Sequence, residues 1–216
     1  MRLPVLLLAA CPLASQTLVV DRPATASARP QRIERPDGKI LSDFFRIGAA
    51  GEVWMIDAIR VWAIPATGPA CGAELGDSIE KITLLGALDN PPVPGQPVCD
   101  CHALVPLAEI PLAKGSSVSA NPNATLTHKN GLWQIDVRQV RWSVPAANDV
   151  LFTLRATPRT KSACRAAAQW SLAATPAAPD YRLHLLNEKT VPIGTAEAAA
   201  QPRTIDIQVW ASRTSK

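Results

Sequence analysis

The sequence predicts an all-β protein, an antiparallel β-sandwich built on long, bulged strands. Three observations lead there. Twenty prolines and eleven glycines are spread through 216 residues, which leaves no room for long uninterrupted helices. Short apolar segments alternate with turn-forming clusters along the whole chain. Two of the segments, "WMIDAIRVW" at 54–62 and "WQIDVRQVRW" at 133–142, switch the parity of their apolar positions in mid-strand.

The elements follow from those breaks. Strands are expected near 40–47, 52–64, 78–87, 103–110, 125–128, 131–144, 149–157, 167–174, 181–187 and 203–211. The separators include "PATGPACG", "DNPPVPGQP", "KGSSVSANPN", "HKNG" and "GTAEAAAQP". Within "HKNGLW", Asn130-Gly131 supplies the positive φ of a tight hairpin. A helical turn competes with a strand at 164–174, "CRAAAQWSLAA". The proline-rich stretch 16–39 is either a tether or a loop after a first strand at 17–20. The expected organisation is a leader over 1–15, this lead-in over 16–39, and one sandwich domain over 40–216.

The parity switch has a physical reading. Trp54, Ile56 and Ala58 share one face, whereas Ile59, Val61 and Ala63 share the next. In the second segment Trp133, Ile135 and Val137 give way to Val140, Trp142 and Val144. One extra residue in a strand re-aims every side chain beyond it, which is what a β-bulge does. Both strands stop at a proline, Pro65 and Pro145. A fainter echo, "IDIQVW", lies at 205–210. The outward row is then Asp57 and Arg60, Asp136, Arg138 and Arg141, Asp206 and Gln208, where opposite charges on neighbouring strands would pair. The same carboxylates in a groove would suit a glycosidase-type acid and base, but a solvent-face ladder is the simpler expectation.

Parity also sorts the tryptophans. Trp54, Trp133 and Trp142 fall inward, while Trp62 and Trp210 fall outward with the charged row. An outward indole is either covered by another segment or serves as a stacking platform for a sugar or peptide. At least one of the pair is expected to be covered.

The first residues, "MRLPVLLLAACPLASQ", have the form of an export leader, with Arg2 as the positive end and an apolar run from Leu3 to Ala10. Leu8-Ala9-Ala10-Cys11 resembles the bacterial lipobox, which makes Cys11 a candidate for lipidation; ordinary cleavage after Ala14 or Ser15 is the alternative. Either route exports the protein to the bacterial cell envelope or beyond, with membrane attachment only through a lipid anchor. The four other cysteines, Cys71, Cys99, Cys101 and Cys164, suit two disulfides in an oxidising compartment. Cys99 and Cys101 are too close to pair together without strain, so the pairings are 71–99 with 101–164, or 71–101 with 99–164. "CDCH" at 99–102 lacks the Cys-x2-Cys spacing of a zinc site.

Other chemistry is sparse. His102, His128 and His184 form no metal-binding pattern, and no P-loop, dinucleotide fingerprint or Gly-x-Ser-x-Gly elbow is present. No catalytic residue, metal or cofactor is therefore expected. The net charge is +4, but its basic residues are scattered singly, which argues against nucleic acid as a partner. "ILSDFFRIGAAGEVWMIDAIRVW" at 40–62 resembles the opening of secreted bacterial jelly-roll modules, in which an Asp-Phe strand precedes a Trp-x-Ile-x-x-Ile strand. "YRLHLL" and "IDIQVWA" are similar to their closing strands. The resemblance implies a jelly-roll-like sandwich and an adhesion, carbohydrate-binding or accessory role. The expected function is thus a non-enzymatic envelope module that binds a glycan or a protein surface, with Trp62 and Trp210 as the candidate platform. A small exported hydrolase is the alternative.

Overall fold

The computed structural model describes residues 16–25, 28–32, 40–65, 74–89, 104–146, 149–159, 170–176, 184–186, 194–195 and 203–214. The first strands are β1 (Thr17–Arg22), β2 (Arg29–Arg32), β3 (Ile40–Phe45) and β4 (Val53–Pro65). One helical turn, α1 (Leu75–Ser78), leads into β5 (Ile79–Asp89), β6 (Val105–Pro111), β7 (Ala124–Lys129), β8 (Leu132–Pro145) and β9 (Asp149–Pro158). The chain closes with β10 (Trp170–Pro176), β11 (His184–Leu186), β12 (Gly194–Thr195), β13 (Arg203–Ile205) and β14 (Ile207–Arg213). Each of the ten expected spans contains a strand. The stretch where a helical turn competes with a strand is extended from Trp170 onward. The lead-in begins with a true strand, β1, which pairs with the C-terminal β14.

Two antiparallel sheets form a sandwich. The six-stranded sheet runs β12-β11-β3-β9-β5-β6. In the eight-stranded sheet, β4 is the spine, with β8 and then β7 along one edge and β14 and then β1 along the other. Near Ala63 the second edge of β4 passes from β14 to β10, which also pairs with β13 and β2. The sheet therefore forks where β13 gives way to β14.

The expected bulge is present. Pairing with β14 jumps from Ala58–Trp210 to Ile56–Ala211, and pairing with β8 jumps from Ala58–Arg138 to Ile56–Trp142. Asp57 is thus looped out of both ladders. Inward positions consequently change from Ile56 to Ile59, Val61 and Ala63, all buried. On β8 the inward set passes from Ile135 and Val137 to Val144, also buried. Against β8 the extra residues belong to β8 itself: Gln139, Val140 and Arg141 stand opposite the single Asp57, with two non-glycine residues in the left-handed region, Gln139 at φ 56° and Arg141 at φ 53°, each costing on the order of 1–3 kcal/mol. The Asn130-Gly131 hairpin turn has φ of 53° and 76°, as its type requires.

The inner faces meet in one apolar core that draws Ile56, Ile59 and Ile135 from one sheet and Ile82, Leu84 and Phe152 from the other. Trp54, Trp133 and Trp142 pack against this core but are only partly buried. Trp142 reaches across the sandwich to Gly86, where a Cβ would lie 2.8 Å from its ring atoms. Only glycine leaves space there for the indole. Residues 82–87 of β5 and 150–154 of β9 are all buried, so the central strands of the six-stranded sheet are covered on both sides.

One polar device crosses the core. Asp43 on β3, 1% exposed, accepts hydrogen bonds from the Ile205 backbone N–H at 2.7 Å and the Thr204 hydroxyl at 3.0 Å. Its carboxylate also sits 3.0 Å from the Arg22 guanidinium, and Arg22 donates to Thr204 Oγ1. A side chain of one sheet thereby holds β1 and β13 of the other. The fork also corrects an expectation: Asp206, assigned to the outward row, is 1% exposed. It lies in the one-residue gap between β13 and β14, with its N–H bonded to Ala173 O at 2.9 Å. Parity counted through an unbroken strand fails at a residue where the strand changes partner.

Candidate functional site

With the core filled by one face of β4, β8 and β14, alternate residues of these strands must face outward. Their register builds three parallel rungs. The middle rung joins Asp21, Gln208, Arg60 and Asp136 across four strands. It is hydrogen-bonded along its length: Gln208 Nε2 donates to Asp21 at 2.7 Å, Arg60 to Gln208 Oε1 at 3.2 Å, and Arg60 Nε to Asp136. Gln134 adds a bond of 2.7 Å to the second oxygen of Asp136. Alternating donors and acceptors order this row, with Asp21 exposed and Asp136 half-buried at its ends, yet it still offers lone pairs and N–H groups to solvent. The cross-strand pairing expected of Arg60 and Asp136 is realised here. Asp57 turns instead to Ser212, whose hydroxyl donates to it at 2.8 Å.

The two candidate platform residues lie on either side of that row. Trp62 stands in the rung of Gln134, and Trp210 in the rung of Leu18, Ala58 and Arg138. Both are partly exposed, so neither is covered as expected for at least one of them. Trp210 pairs with Ala58, four residues from Trp62, so the indoles are rooted about 13 Å apart along the strand direction. The Arg60 guanidinium lies over the Trp210 ring, 5.4 Å from its centre, an arrangement that holds the ring in place. Leu18 adds apolar surface at 38% exposure.

Two shallow clefts lie elsewhere. One of about 670 Å³ surrounds the turn before β4 and is lined by Gly51, Glu52, Arg213 and Thr214. There the Ala49 N–H and then the Trp54 indole N–H hold the Glu52 carboxyl below its ordinary value of 4.5, against a weaker opposing effect of burial, with the Arg213 guanidinium adding the smallest contribution. That carboxylate is already committed to its neighbours, at 3.0 Å from Ala49 N, 2.9 Å from Trp54 Nε1 and 3.0 Å from Arg213. The other cleft, about 490 Å³, opens at the end of the β7–β8 hairpin and includes Glu74, Ser117, His128 and Trp133. His128 stacks on Trp133 with ring centres 4.8 Å apart. The Ser117 hydroxyl is occupied at both ends, donating to Glu74 and accepting from Leu75 N–H. Neither cleft brings together two free carboxylates, and the one hydroxyl–carboxylate pair among these described residues, Ser117 with Glu74, is also tied to the Leu75 N–H.

Cys11, Cys71, Cys99, Cys101 and Cys164 lie outside the described residues, as does His102; His184 lies within β11. Among the described residues no group of three or more His, Cys, Asp or Glu is placed to hold a metal ion, and no helix is long and apolar enough to cross a membrane. The polar row linking the indoles was only partly foreseen, since the contribution of Asp21 depends on β1 joining the sheet. No protein family model, curated protein or solved structure matches the chain.

Proposed function

We propose that this chain is an exported cell-envelope β-sandwich that acts as a non-enzymatic binding module, with the outer face of the eight-stranded sheet as its working surface and an extended glycan as its ligand. One observation carries the reading: Trp62 and Trp210 remain partly exposed on that face, on opposite sides of a hydrogen-bonded polar row. Indoles stack on the apolar faces of sugar rings, and a fixed line of amide and carboxylate groups meets the hydroxyls between them. A preorganised surface loses little freedom on binding, which favours affinity. The leader with Arg2, the apolar run and Cys11 supports export, and the jelly-roll resemblance of 40–62 supports a binding role. A hydrolytic role would need two converging carboxylates, whereas Asp136 and Asp57 are each spent on a neighbour.

The test is a glycan array followed by titration calorimetry of Trp62→Ala and Trp210→Ala. Each variant should lose binding to the array hit by tenfold or more, a change of about 1.4 kcal/mol, while its melting temperature stays near that of the parent. A sharp fall in melting temperature with unaltered binding would show that the rings are structural props and that the platform does not exist.

A further inference from the structure

We infer that the chain associates with a second copy of itself through β7, the two strands pairing antiparallel about a two-fold axis at Leu126. The inference does not depend on any ligand of the outer face. An open sheet edge is a template for another strand, and proteins blunt such edges with prolines, bulges or very short strands. The other described edges are blunted in these ways. β6 carries Pro106 and Pro111, skips Leu107 in its pairing with β5, and has Glu109 O taken by the Asn121 side-chain amide. β1 skips Val19 in its pairing with β14. β2 contains Pro30, while β12 and β13 have two and three residues. Among the described edge strands, only β7 runs for six residues in unbroken register with its neighbour and without a proline.

The outer groups of β7 are in phase for self-pairing. The Arg138 N–H donates to Asn123 O at 2.8 Å, so Thr125, Thr127 and Lys129, at two-residue intervals, also turn their N–H and C=O toward β8. The N–H and C=O of Leu126 and His128 and the C=O of Ala124 therefore point away from it, and no other described group bonds to them. Thr125, Thr127, His128 and Lys129 are exposed. A second copy fits this edge because Thr125-Leu126-Thr127 reads the same in both directions. With the axis at Leu126, the two leucines exchange both backbone bonds, and each His128 N–H reaches Ala124 O of the other copy. Thr125 then faces Thr127 of the second copy on the outer face, a favourable cross-strand pair. Lys129 falls opposite Asn123, so no like charges meet. Moving the axis to Thr127 would set Leu126 against the exposed His128 instead of against another leucine. Val118, 75% exposed, lines the cleft beside Leu126 and adds apolar surface that a neighbouring strand would cover. The interface is isologous, and its axis stands perpendicular to the sheet, so Trp62 and Trp210 of both copies lie on one continuous surface. One strand pair is a small contact, and the dimer is accordingly weak and concentration-dependent.

Sedimentation of the full chain from low micromolar to millimolar concentration should show a reversible monomer–dimer equilibrium. Hydrogen exchange should show the Leu126 and His128 amides gaining protection as concentration rises, whereas those of Thr125 and Thr127 are protected throughout. Thr125→Lys combined with Thr127→Lys sets two like-charge pairs directly across the axis and should weaken the dimer roughly tenfold or more. Thr125→Lys combined with Thr127→Glu makes the same pairs attractive and should restore it, with both melting temperatures near that of the parent. Leu126→Pro removes an amide that β8 does not use and should abolish dimerisation. A chain monomeric at millimolar concentration would overturn the inference. So would a dimer held equally by the Lys/Lys and Lys/Glu variants, or one whose Leu126 amide stays unprotected. A monomer that instead takes an alternating valine–threonine hexapeptide along β7 would assign the edge to a foreign strand and overturn the inference as well.

Discussion

Replacing Asp43 tests whether one carboxylate fastens the two sheets together. In Asp43→Ala the Ile205 N–H loses its acceptor at a residue with no exposed surface, and an orphaned buried donor costs about 1–3 kcal/mol. Arg22 loses its carboxylate while its side chain is only 23% exposed. Removing this partner from a charge so placed costs less than the roughly 3–5 kcal/mol seen for fully buried pairs, because water still reaches it. Thr204 can turn its hydroxyl elsewhere and adds little. The total comes to about 3–4 kcal/mol, a large part of the 5–15 kcal/mol typical of a folded domain. For a chain of this size that corresponds to a fall in melting temperature of roughly 6–16 °C. Urea denaturation of Asp43→Ala, Arg22→Ala and the double variant would measure it. The double variant should be less destabilised than the sum of the singles, because each single already breaks the Arg22–Asp43 pair. A loss below about 1 kcal/mol, or strictly additive effects, would show that the sandwich does not depend on this clamp.

Two further outcomes follow from the core and the leader. Gly86→Ala should lower stability by about 1–3 kcal/mol through overpacking against the Trp142 ring, and a smaller residue at position 142 should recover part of that loss; thermal melting of the single and double variants decides it. Mass spectrometry of protein from an envelope fraction should find a diacylglyceryl group on Cys11 and two disulfides joining Cys71 and Cys164 to Cys99 and Cys101. An unmodified mature terminus at Gln16 would refute lipidation, and four free thiols would refute the disulfides.

The strands were legible because turn residues bracket them, and the bulge at Asp57 was legible because a parity switch has few other causes within one continuous strand. The turn at Asn130-Gly131 was legible for the same kind of local reason. What escaped was set by partners distant in sequence. Asp43 shares its parity with Phe45, which is buried, so the alternation of "SDFF" did signal an inward carboxylate; nothing nearby named Arg22 or Ile205 as its partners. Trp133 was expected to face inward and does pack against the core, but its neighbour across the hairpin is the exposed His128, and this end of the sheet leaves the indole only partly buried. The left-handed residues Gln139 and Arg141 carry no glycine or asparagine signature; the parity switch marked the bulge they form in β8 but not its backbone conformation.

The recurring Ile-Asp pair shows where such reading stops. Ile56, Ile135 and Ile205 are all fully buried, so the apolar half of the phrase has one meaning on all three strands. The acidic half has three. Asp57 is looped out at the bulge and bonded to Ser212, Asp136 anchors Arg60 in the polar row, and Asp206 is buried at the fork. An apolar side chain needs only a direction, and the two-residue period of a strand supplies it. A carboxylate needs a donor as well, and the donor depends on which strand arrives alongside. That is also why the outer face had to be read from the register of β1, β14, β4 and β8 rather than from any motif within one of them.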